Sequence, residues 1–301
     1  MLRSMTDDIA RIVEARPRDL GGFQVGRVLP AIAQKAVGPF VFLDHMGPAD
    51  LADEGFAVRP HPHIHLATVT YLFEGEVFHR DSVGSAQLIT PGAINWMTAG
   101  TGIVHSERSP VPRAVSKMHG LQLWVGLPKK HEDSPPDFHH TPASALPEID
   151  DAGAKLRVLA GSAFGATSPV RTLSPMFYVE VKLEPGARVP VPADHVDRAV
   201  YVVDGEITVG DTPLVGRQLA VFERGTSPVI QATTAARIAM LGGEPLDGPR
   251  YIWWNFVSSS ADRILEAAHA WRAEKFPTVP GDDKERIAAP ADDPRFAKEQ
   301  P

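Results

Sequence analysis

Two short segments of the chain carry histidines and an acid at alternate positions. His61, His63 and His65 occupy alternate positions at the start of HPHIHLATVTYLFEG. His105 and Glu107 are two residues apart in GTGIVHSE. Because successive side chains of a strand point to opposite faces, residues two apart share a face and lie about 7 Å apart along the chain. That separation lets two imidazoles reach one ion. The spacing therefore predicts a pair of metal ligands on each strand.

The donor set that these pairs offer is three imidazoles and one carboxylate. If the two strands face each other in a small barrel, His61, His63, His105 and Glu107 converge on one interior point. Nitrogen and oxygen donors without thiolate suit Fe(II), Mn, Co, Ni, Cu or Zn. A structural zinc is closed by four ligands, whereas an octahedral ion keeps positions open for a substrate and dioxygen. We therefore predict one divalent transition metal, with Fe(II) as the first choice.

A single His-x-His pair is more often a turn or surface feature than a ligand pair. An internal repeat bears on this alternative, since YLFEGEV at 71–77 aligns with YVVDGEI at 201–207, and Gly-Thr recurs at 100–101 and 225–226. All four polar positions are apolar in the second copy, as expected if they hold one ion that the second copy has lost. The register without gaps aligns Val191 with His61, Ala193 with His63, Ile230 with His105, and Ala232 with Glu107.

Three further residues are candidates for the pocket wall or for support of the ligands. His65 shares the face of the first two histidines but lies one strand period further on, and its counterpart His195 persists in the second copy. Trp96 precedes the turn before the second ligand pair and can line a pocket for a flat aromatic ligand, with core packing as the alternative. His119 lies in a predicted strand, either hydrogen-bonded to a ligand or as a core histidine.

Composition limits the classes of fold and function. The chain of 301 residues has no cysteine, 28 prolines, 25 glycines and a formal net charge of −7. The absence of cysteine excludes disulfides, thiolate ligands and a thiol nucleophile. Short apolar runs divided by turn residues predict an all-β fold. The acidic balance disfavours direct nucleic-acid binding, and the lack of an apolar leader or of a bilayer-length apolar run favours a cytoplasmic protein without membrane contact.

The chain divides near its middle. Residues 128–153 are rich in Pro, Asp and His and read as a connection between the halves, so we expect a metal-binding domain over 1–135 and a domain without metal over 136–301. Towards the end, SSSADRILEAAHAWRAEKFP predicts a helix, and a polar tail follows it. The apolar face of that helix comprises Ile264, Ala268 and Trp271.

The chain resembles the pirin family of the cupin superfamily. The matching motifs are GPFVFLDHMGP at 38–48, HPHIHLATVTYLFEGEVFHRDSVG at 61–84, PGAINWMTAGTGIVHSE at 91–107, HGLQLWVGLP at 119–128 and WWNFVSSS at 253–260.

This resemblance implies two antiparallel jelly-roll β-barrels in one chain, with metal in the N-terminal barrel alone. It also implies that His61, His63, His105 and Glu107 are the ligands, normally of iron. His65 stands where many pirins have a small residue, and Ala67 where many have Glu, which changes the expected polarity of the pocket floor.

Two functions are implied. The first is ring opening of a flavonol by a quercetin 2,3-dioxygenase-type enzyme, with Glu107 as a base for the flavonol hydroxyl. The second is a redox-sensing regulatory protein, a transcriptional cofactor that acts through protein partners. We expect the first, in a monomer that takes a small aromatic substrate.

Overall fold

The computed structural model describes residues 8–19, 23–51, 55–112 and 115–291. These residues form antiparallel β-strands and one α-helix, so the all-β prediction is confirmed. Up to residue 126 the strands are β1 (Ile9–Glu14), β2 (Arg16–Asp19), β3 (Gln24–Leu29), β4 (Phe40–Asp50), β5 (Ala57–His63), β6 (Leu66–Glu74), β7 (Val77–Asp81), β8 (Ala86–Ile89), β9 (Ile94–Thr98), β10 (Ile103–Arg108) and β11 (Lys117–Gly126).

The remaining strands follow residue 136. They are β12 (Asp137–Thr141), β13 (Glu148–Asp151), β14 (Ala154–Ala163), β15 (Ala166–Thr167), β16 (Met176–Leu183), β17 (Arg188–Pro190), β18 (Asp197–Asp204), β19 (Glu206–Val209), β20 (Thr212–Val215), β21 (Gln218–Phe222), β22 (Val229–Ala232), β23 (Ala236–Gly243), β24 (Tyr251–Trp253) and β25 (Phe256–Ser258). The predicted connection over 128–153 is therefore not structureless, because it contains β12, β13 and the 3-10 helices Lys129–His131 and Ala143–Ala145.

The predicted helix is α1 (Ala261–Arg272). It begins after Ser260, whose extended backbone suits an N-cap although its side chain makes no capping hydrogen bond, and Asp262 places a negative charge in the first turn. Its apolar stripe packs on Trp253 and Phe256 of the β24–β25 hairpin. No helix among the described residues is long and apolar enough to cross a membrane. The buried stripe consists of Ile264, Ala267, Ala268 and Trp271.

The chain separates into two compact units, neither of which is one continuous stretch. The histidine unit comprises the described parts of residues 48–120, 124–140 and 246–301. The apolar unit comprises the described parts of residues 1–47, 121–123 and 141–245. The domain division at residue 135, drawn from the composition of residues 128–153, stays a prediction. Of the predicted polar tail, residues 292–301 lie outside the described residues.

The strand order repeats between the two units. In the histidine unit a four-stranded sheet runs β5-β10-β7-β8 and a second sheet includes β9-β6-β11; the apolar unit has β17-β22-β19-β20 and β21-β18-β23. The same connections are thus used twice, which confirms two related antiparallel barrels. In each unit one inner strand of the smaller sheet, β10 or β22, pairs with a neighbouring strand on each side.

Strand pairing corrects the repeat register. In the histidine unit His105 pairs with His61, and in the apolar unit Ile230, the counterpart of His105, pairs with Val189. Val189 rather than Val191 therefore corresponds to His61, a shift of two residues that keeps the side chain on the same face. The replacement remains apolar, and the interior of this unit is one hydrophobic cluster that includes Val189, Val191, Val209, Ile230 and Ala232.

Candidate metal centre

His61 and His63 lie on an edge strand that is unusually rich in proline. Pro60 and Pro62 alternate with the histidines in β5, and they lack the N–H that a central strand would need on both sides. Because β5 pairs with β10 alone in its sheet, the prolines are tolerated there. Both histidine side chains then point into the barrel, where they are 6% and 1% exposed.

A β-bulge shapes the first ligand pair. His61 pairs with His105 but Val58 pairs with Glu107, so β5 has one residue more than β10 between these two pairs. Near the bulge, the carbonyl oxygen of Arg59 accepts a hydrogen bond from Nδ1 of His61 at 2.9 Å. The distortion thus supplies the acceptor that orients the first imidazole.

The three predicted histidine ligands come together. His61, His63 and His105 each offer a ligand atom, and these atoms lie within 4.8 Å of one another. The ring centroids are 4.4 to 5.0 Å apart, and Nε2 of His63 is 3.1 Å from Nε2 of His105. Among the residues that the structure describes, these three are the group of potential metal ligands close enough together to bind one ion.

The hydrogen bonds of the outer nitrogens leave the inner nitrogens free for a metal. Nδ1 of His61 donates to Arg59, and Nδ1 of His63 donates to the carbonyl oxygen of Asn255 at 2.8 Å. A carbonyl only accepts, so each Nδ1 carries the hydrogen and each Nε2 keeps its lone pair. This is the tautomer of a histidine that binds a metal through Nε2.

Burial keeps these imidazoles neutral. It lowers the pKa of His61 to about 4, against the opposing effect of its backbone hydrogen bond. Burial, reinforced by the neighbouring imidazoles, also holds the pKa values of His63 and His105 well below their usual value. Since a metal binds only the deprotonated ring nitrogen, the site is ready to bind an ion without first losing protons near neutral pH. The residues present therefore fit a divalent transition metal.

Lowering the pH from 7 to 5 is expected to destabilise the metal-free protein. The pKa of His61 is about 4 in the fold and 6.5 ordinarily, so between these values mainly the unfolded chain takes up the proton. Each such histidine lowers the free energy of unfolding by about 1.4 kcal/mol per pH unit below pH 6.5. The raised pKa of Glu107 acts in the opposite sense, but within the site it is one carboxyl group against three histidines.

Denaturant unfolding of chelator-treated protein at several pH values measures this slope. The matched variant His61→Leu removes one of the titrating groups, so its free energy of unfolding should depend less steeply on pH. Equal or greater stability of the native sequence at pH 5 than at pH 7 would contradict the expectation.

Glu107 lies next to the histidine group but not within it. Its side chain is buried, and Oε1 is 3.5 Å from Oγ1 of Thr70, a distance at the limit for a hydrogen bond. Burial raises the pKa of Glu107, and the nearby His79 imidazole and the Thr70 hydroxyl only partly offset this. A carboxylate so placed is suited to move a proton, and its part as a fourth ligand stays a proposal.

Two protein-family models match the chain, Pirin over residues 22–125 and the Pirin C-terminal cupin domain over residues 178–277. A pirin-like protein of Caulobacter vibrioides is 50% identical over 285 residues, which cover 93% of this chain and 98% of that protein. The chain belongs to the pirin family. Both of its barrels are accordingly cupin domains, as the resemblance implies.

Solved structures agree with this assignment. The crystal structure of a quercetin 2,3-dioxygenase from Acinetobacter baumannii has a TM-score of 0.89 and 32% identity, over 94% of this chain and 96% of that one. The bacterial pirin YhhW of Escherichia coli, solved in complex with nickel(II), has a TM-score of 0.63 and 18% identity, over 78% of this chain and 99% of that one. At that identity the second likeness concerns the fold alone.

His65 leaves the strand face that alternation predicts for it in this pirin. Strand β5 ends at His63, and His65 has a φ of +56°, which turns its side chain away from that of the preceding histidine. Nε2 of His65 accepts a hydrogen bond from Nη2 of Arg263 in α1 at 2.9 Å. Burial, with the Arg263 charge, lowers the pKa of His65 to about 4. A role in the pocket wall stays a prediction.

The other two supporting candidates are buried in strands. Trp96 lies in β9, opposite Val69 of β6. His119 lies in β11, and its ring meets that of Phe73 edge-on at 5.0 Å. The proposed roles of both residues, at the pocket wall or in support of a ligand, stay predictions.

Four residues around the histidines were not singled out from the sequence. The Trp124 ring meets the His63 ring edge-on at 5.2 Å, and Asn255 supplies the carbonyl already described. His79 and Asp81 of β7 lie against His105. The alternation of His79 and Asp81 was a usable signal, because it follows the same rule as the ligand pairs. For the two others no local signal exists.

Proposed function

We propose that this pirin is a metal-dependent dioxygenase of the quercetin 2,3-dioxygenase type, which opens the heterocycle of a small flavonol. The observation that carries the proposal is the group of three buried, neutral imidazoles with ligand atoms close enough to bind one ion, in which His61 and His63 keep the lone pair of Nε2 free. The likeness to the Acinetobacter quercetin 2,3-dioxygenase over nearly the whole chain supports the choice of reaction.

The ion that we propose is a single divalent transition metal, with Fe(II) first. His61, His63 and His105 would hold it, and their nitrogen donors suit Fe(II) as well as Ni, Co, Mn, Cu or Zn. A three-histidine set leaves positions open, which a reaction with dioxygen and a chelating substrate requires. When bound, the metal would supply Lewis-acid and redox chemistry.

The protein itself would supply binding, orientation and a base. Glu107 is buried two residues from His105, and its Oε1 lies near the Thr70 hydroxyl, so its position is defined. Its raised pKa makes the carboxylate a better proton acceptor for the flavonol hydroxyl. Trp124, edge-on to His63, and the buried strand surface would help to exclude water from the reacting atoms.

Anaerobic metal loading followed by a flavonol assay tests the proposal. The chelator-treated protein is loaded with Fe(II), Ni(II), Mn(II) or Zn(II) in turn, and the bound metal is measured by elemental analysis. We expect about one ion per chain, since one barrel has the ligands and the other is apolar. With air admitted, quercetin absorbance should disappear with equimolar uptake of oxygen. Full loading without turnover for any metal would reject the oxygenase.

Replacing Glu107 by glutamine is expected to lower kcat for quercetin by about 100-fold, the lower end of the range for loss of a general base. Glutamine keeps the volume of the side chain but cannot accept the hydroxyl proton. Thr70→Val, which removes only the neighbouring hydroxyl, is the matched control and should lose much less activity. Metal analysis of both variants separates the two roles of the carboxylate: loss of the ion in Glu107→Gln would make it a ligand rather than a base.

A further inference from the structure

A histidine and an aspartate of β7 form a hydrogen-bonded chain behind one of the ligands. Nδ1 of His79 is 3.4 Å from Nδ1 of His105, and Nε2 of His79 is 3.0 Å from Oδ2 of Asp81. The residues His79, Asp81 and His105 are buried, each with no more than 2% of its surface exposed. The pairing of β7 with β10 places Asp81 opposite His105 and His79 opposite Glu107, so the backbone holds all the groups in register.

The acid end of this chain is firmly held. Oδ1 of Asp81 accepts hydrogen bonds from the backbone N–H groups of Val83 at 3.0 Å and of Ser85 at 2.9 Å. Its other oxygen is thereby directed at His79, whose ring also stacks on Phe138 with centroids 4.4 Å apart. Asp81 and His79 are thus each held in place by contacts other than the hydrogen bond between them.

The direction of the hydrogen bonds follows from the chemistry of the groups. A carboxylate only accepts, so Nε2 of His79 carries the hydrogen and its Nδ1 has the free lone pair. Nδ1 of His105 must then donate, which leaves Nε2 of His105 as the nitrogen with a lone pair. That nitrogen is the one that lies 3.1 Å from Nε2 of His63, inside the histidine group.

We propose that Asp81 and His79 are positioning residues for the metal, which orient His105 and strengthen its Nε2 as a donor. The inference rests on the metal site of the proposed function and extends it. His61 and His63 donate to neutral carbonyl groups, whereas His105 is backed through His79 by an anion. Carboxylate support of a ligand imidazole raises its basicity and fixes its tautomer, and its loss typically weakens metal binding 10- to 100-fold.

The second barrel supports a role tied to the metal. There Ile230 pairs with Val209 and Ala232 with Ile207, where the histidine unit pairs His105 with Asp81 and Glu107 with His79. The pair on β7 is therefore replaced by apolar core residues together with the ligands. A chain of polar groups that served only the barrel structure would have no reason to disappear with them.

Nickel affinity in variants of His79 tests the proposal. His79→Phe keeps a ring to stack on Phe138 but removes the acceptor, and we expect its Kd for Ni(II), measured against a chromophoric chelator, to rise 10- to 100-fold. His79→Gln offers an amide oxygen to Nδ1 of His105 and should recover part of the affinity. The control is His140→Phe, since His140 is hydrogen-bonded to Asn95; it should bind as the native chain does.

A spectroscopic readout separates positioning from a merely structural role. In Cu(II)-loaded protein, pulsed EPR detects the remote ring nitrogen of each histidine ligand and responds to the hydrogen bond at that nitrogen. The signal of one ligand should change in His79→Phe and in Asp81→Asn and return towards the native value in His79→Gln. If His79→Phe does not fold, the other two variants carry the test.

Two failures are distinguishable. A native chain that takes up no Ni(II) or Cu(II) would overturn the proposed function and this inference with it. A native chain that binds the ion, with His79→Phe equal to it in affinity and in remote-nitrogen signal, would overturn the inference alone and leave the three-histidine site standing.

Discussion

His63→Ala is expected to abolish metal binding, with the ion content after reconstitution falling from about one per chain to less than about a tenth. His63 lies close to both other histidines: its Nε2 lies 3.1 Å from that of His105, and its ring is 5.0 Å from that of His61. Its loss leaves two imidazoles on different strands and removes the group that the Asn255 carbonyl orients. Two such donors do not hold a divalent ion through desalting, so quercetin turnover should also be lost.

The control for this variant lies in the other barrel. His195→Ala removes a histidine whose ring stacks on Phe177 with centroids 5.6 Å apart, in a barrel lined by valine and isoleucine. Its metal content and turnover should equal those of the native chain. Elemental analysis after removal of free metal measures both variants. One ion per chain retained in His63→Ala would show that the ion binds somewhere other than the histidine group.

The site residues that could be predicted from the sequence are those that alternate along one strand. Side chains alternate between the two faces of a strand. His61 and His63, and likewise His105, could therefore be assigned to the barrel interior from the sequence alone. The all-β fold followed from the same period and from the turn residues. The repeat then indicated which barrel has the candidate ligands, because the other barrel has an apolar interior at the corresponding positions.

What escaped prediction depends on departures from regular strand geometry and on contacts distant in sequence. The bulge at Arg59 and the left-handed turn at His65 change where side chains point, and neither follows from alternation. Asn255 reaches His63 across 192 residues of sequence, which no local pattern encodes. The alignment of the repeat paired His61 with Val191 instead of Val189, two residues away. An alignment without gaps ignores differences in loop length between the two anchor motifs.

Gly75→Ala is expected to lower the free energy of unfolding by about 3–5 kcal/mol, at the upper end for a single substitution. Gly75 belongs to the repeated acid-Gly-Glu turn after β6, and its φ is +96°, a conformation that L side chains rarely adopt. A Cβ there would lie 2.4 Å from the carbonyl oxygen of Lys117 and 3.1 Å from Cα of Met118. Because both obstacles are backbone of the neighbouring strand, the strand would have to shift.

Gly84→Ala separates the backbone strain from the steric clash of the added Cβ. Gly84 has nearly the same φ, +98°, but nothing lies within 4 Å of a Cβ added there. It should cost only the backbone strain, about 1–3 kcal/mol. The same turn in the second barrel has Gly205 at φ +79°, with a Cβ placed 2.3 Å from the carbonyl oxygen of Ala235, so Gly205→Ala should match Gly75→Ala. Urea unfolding of the three variants measures the differences. If Gly75→Ala lowers the free energy of unfolding no more than Gly84→Ala does, close approach of the neighbouring strand is not the reason for the repeated glycine.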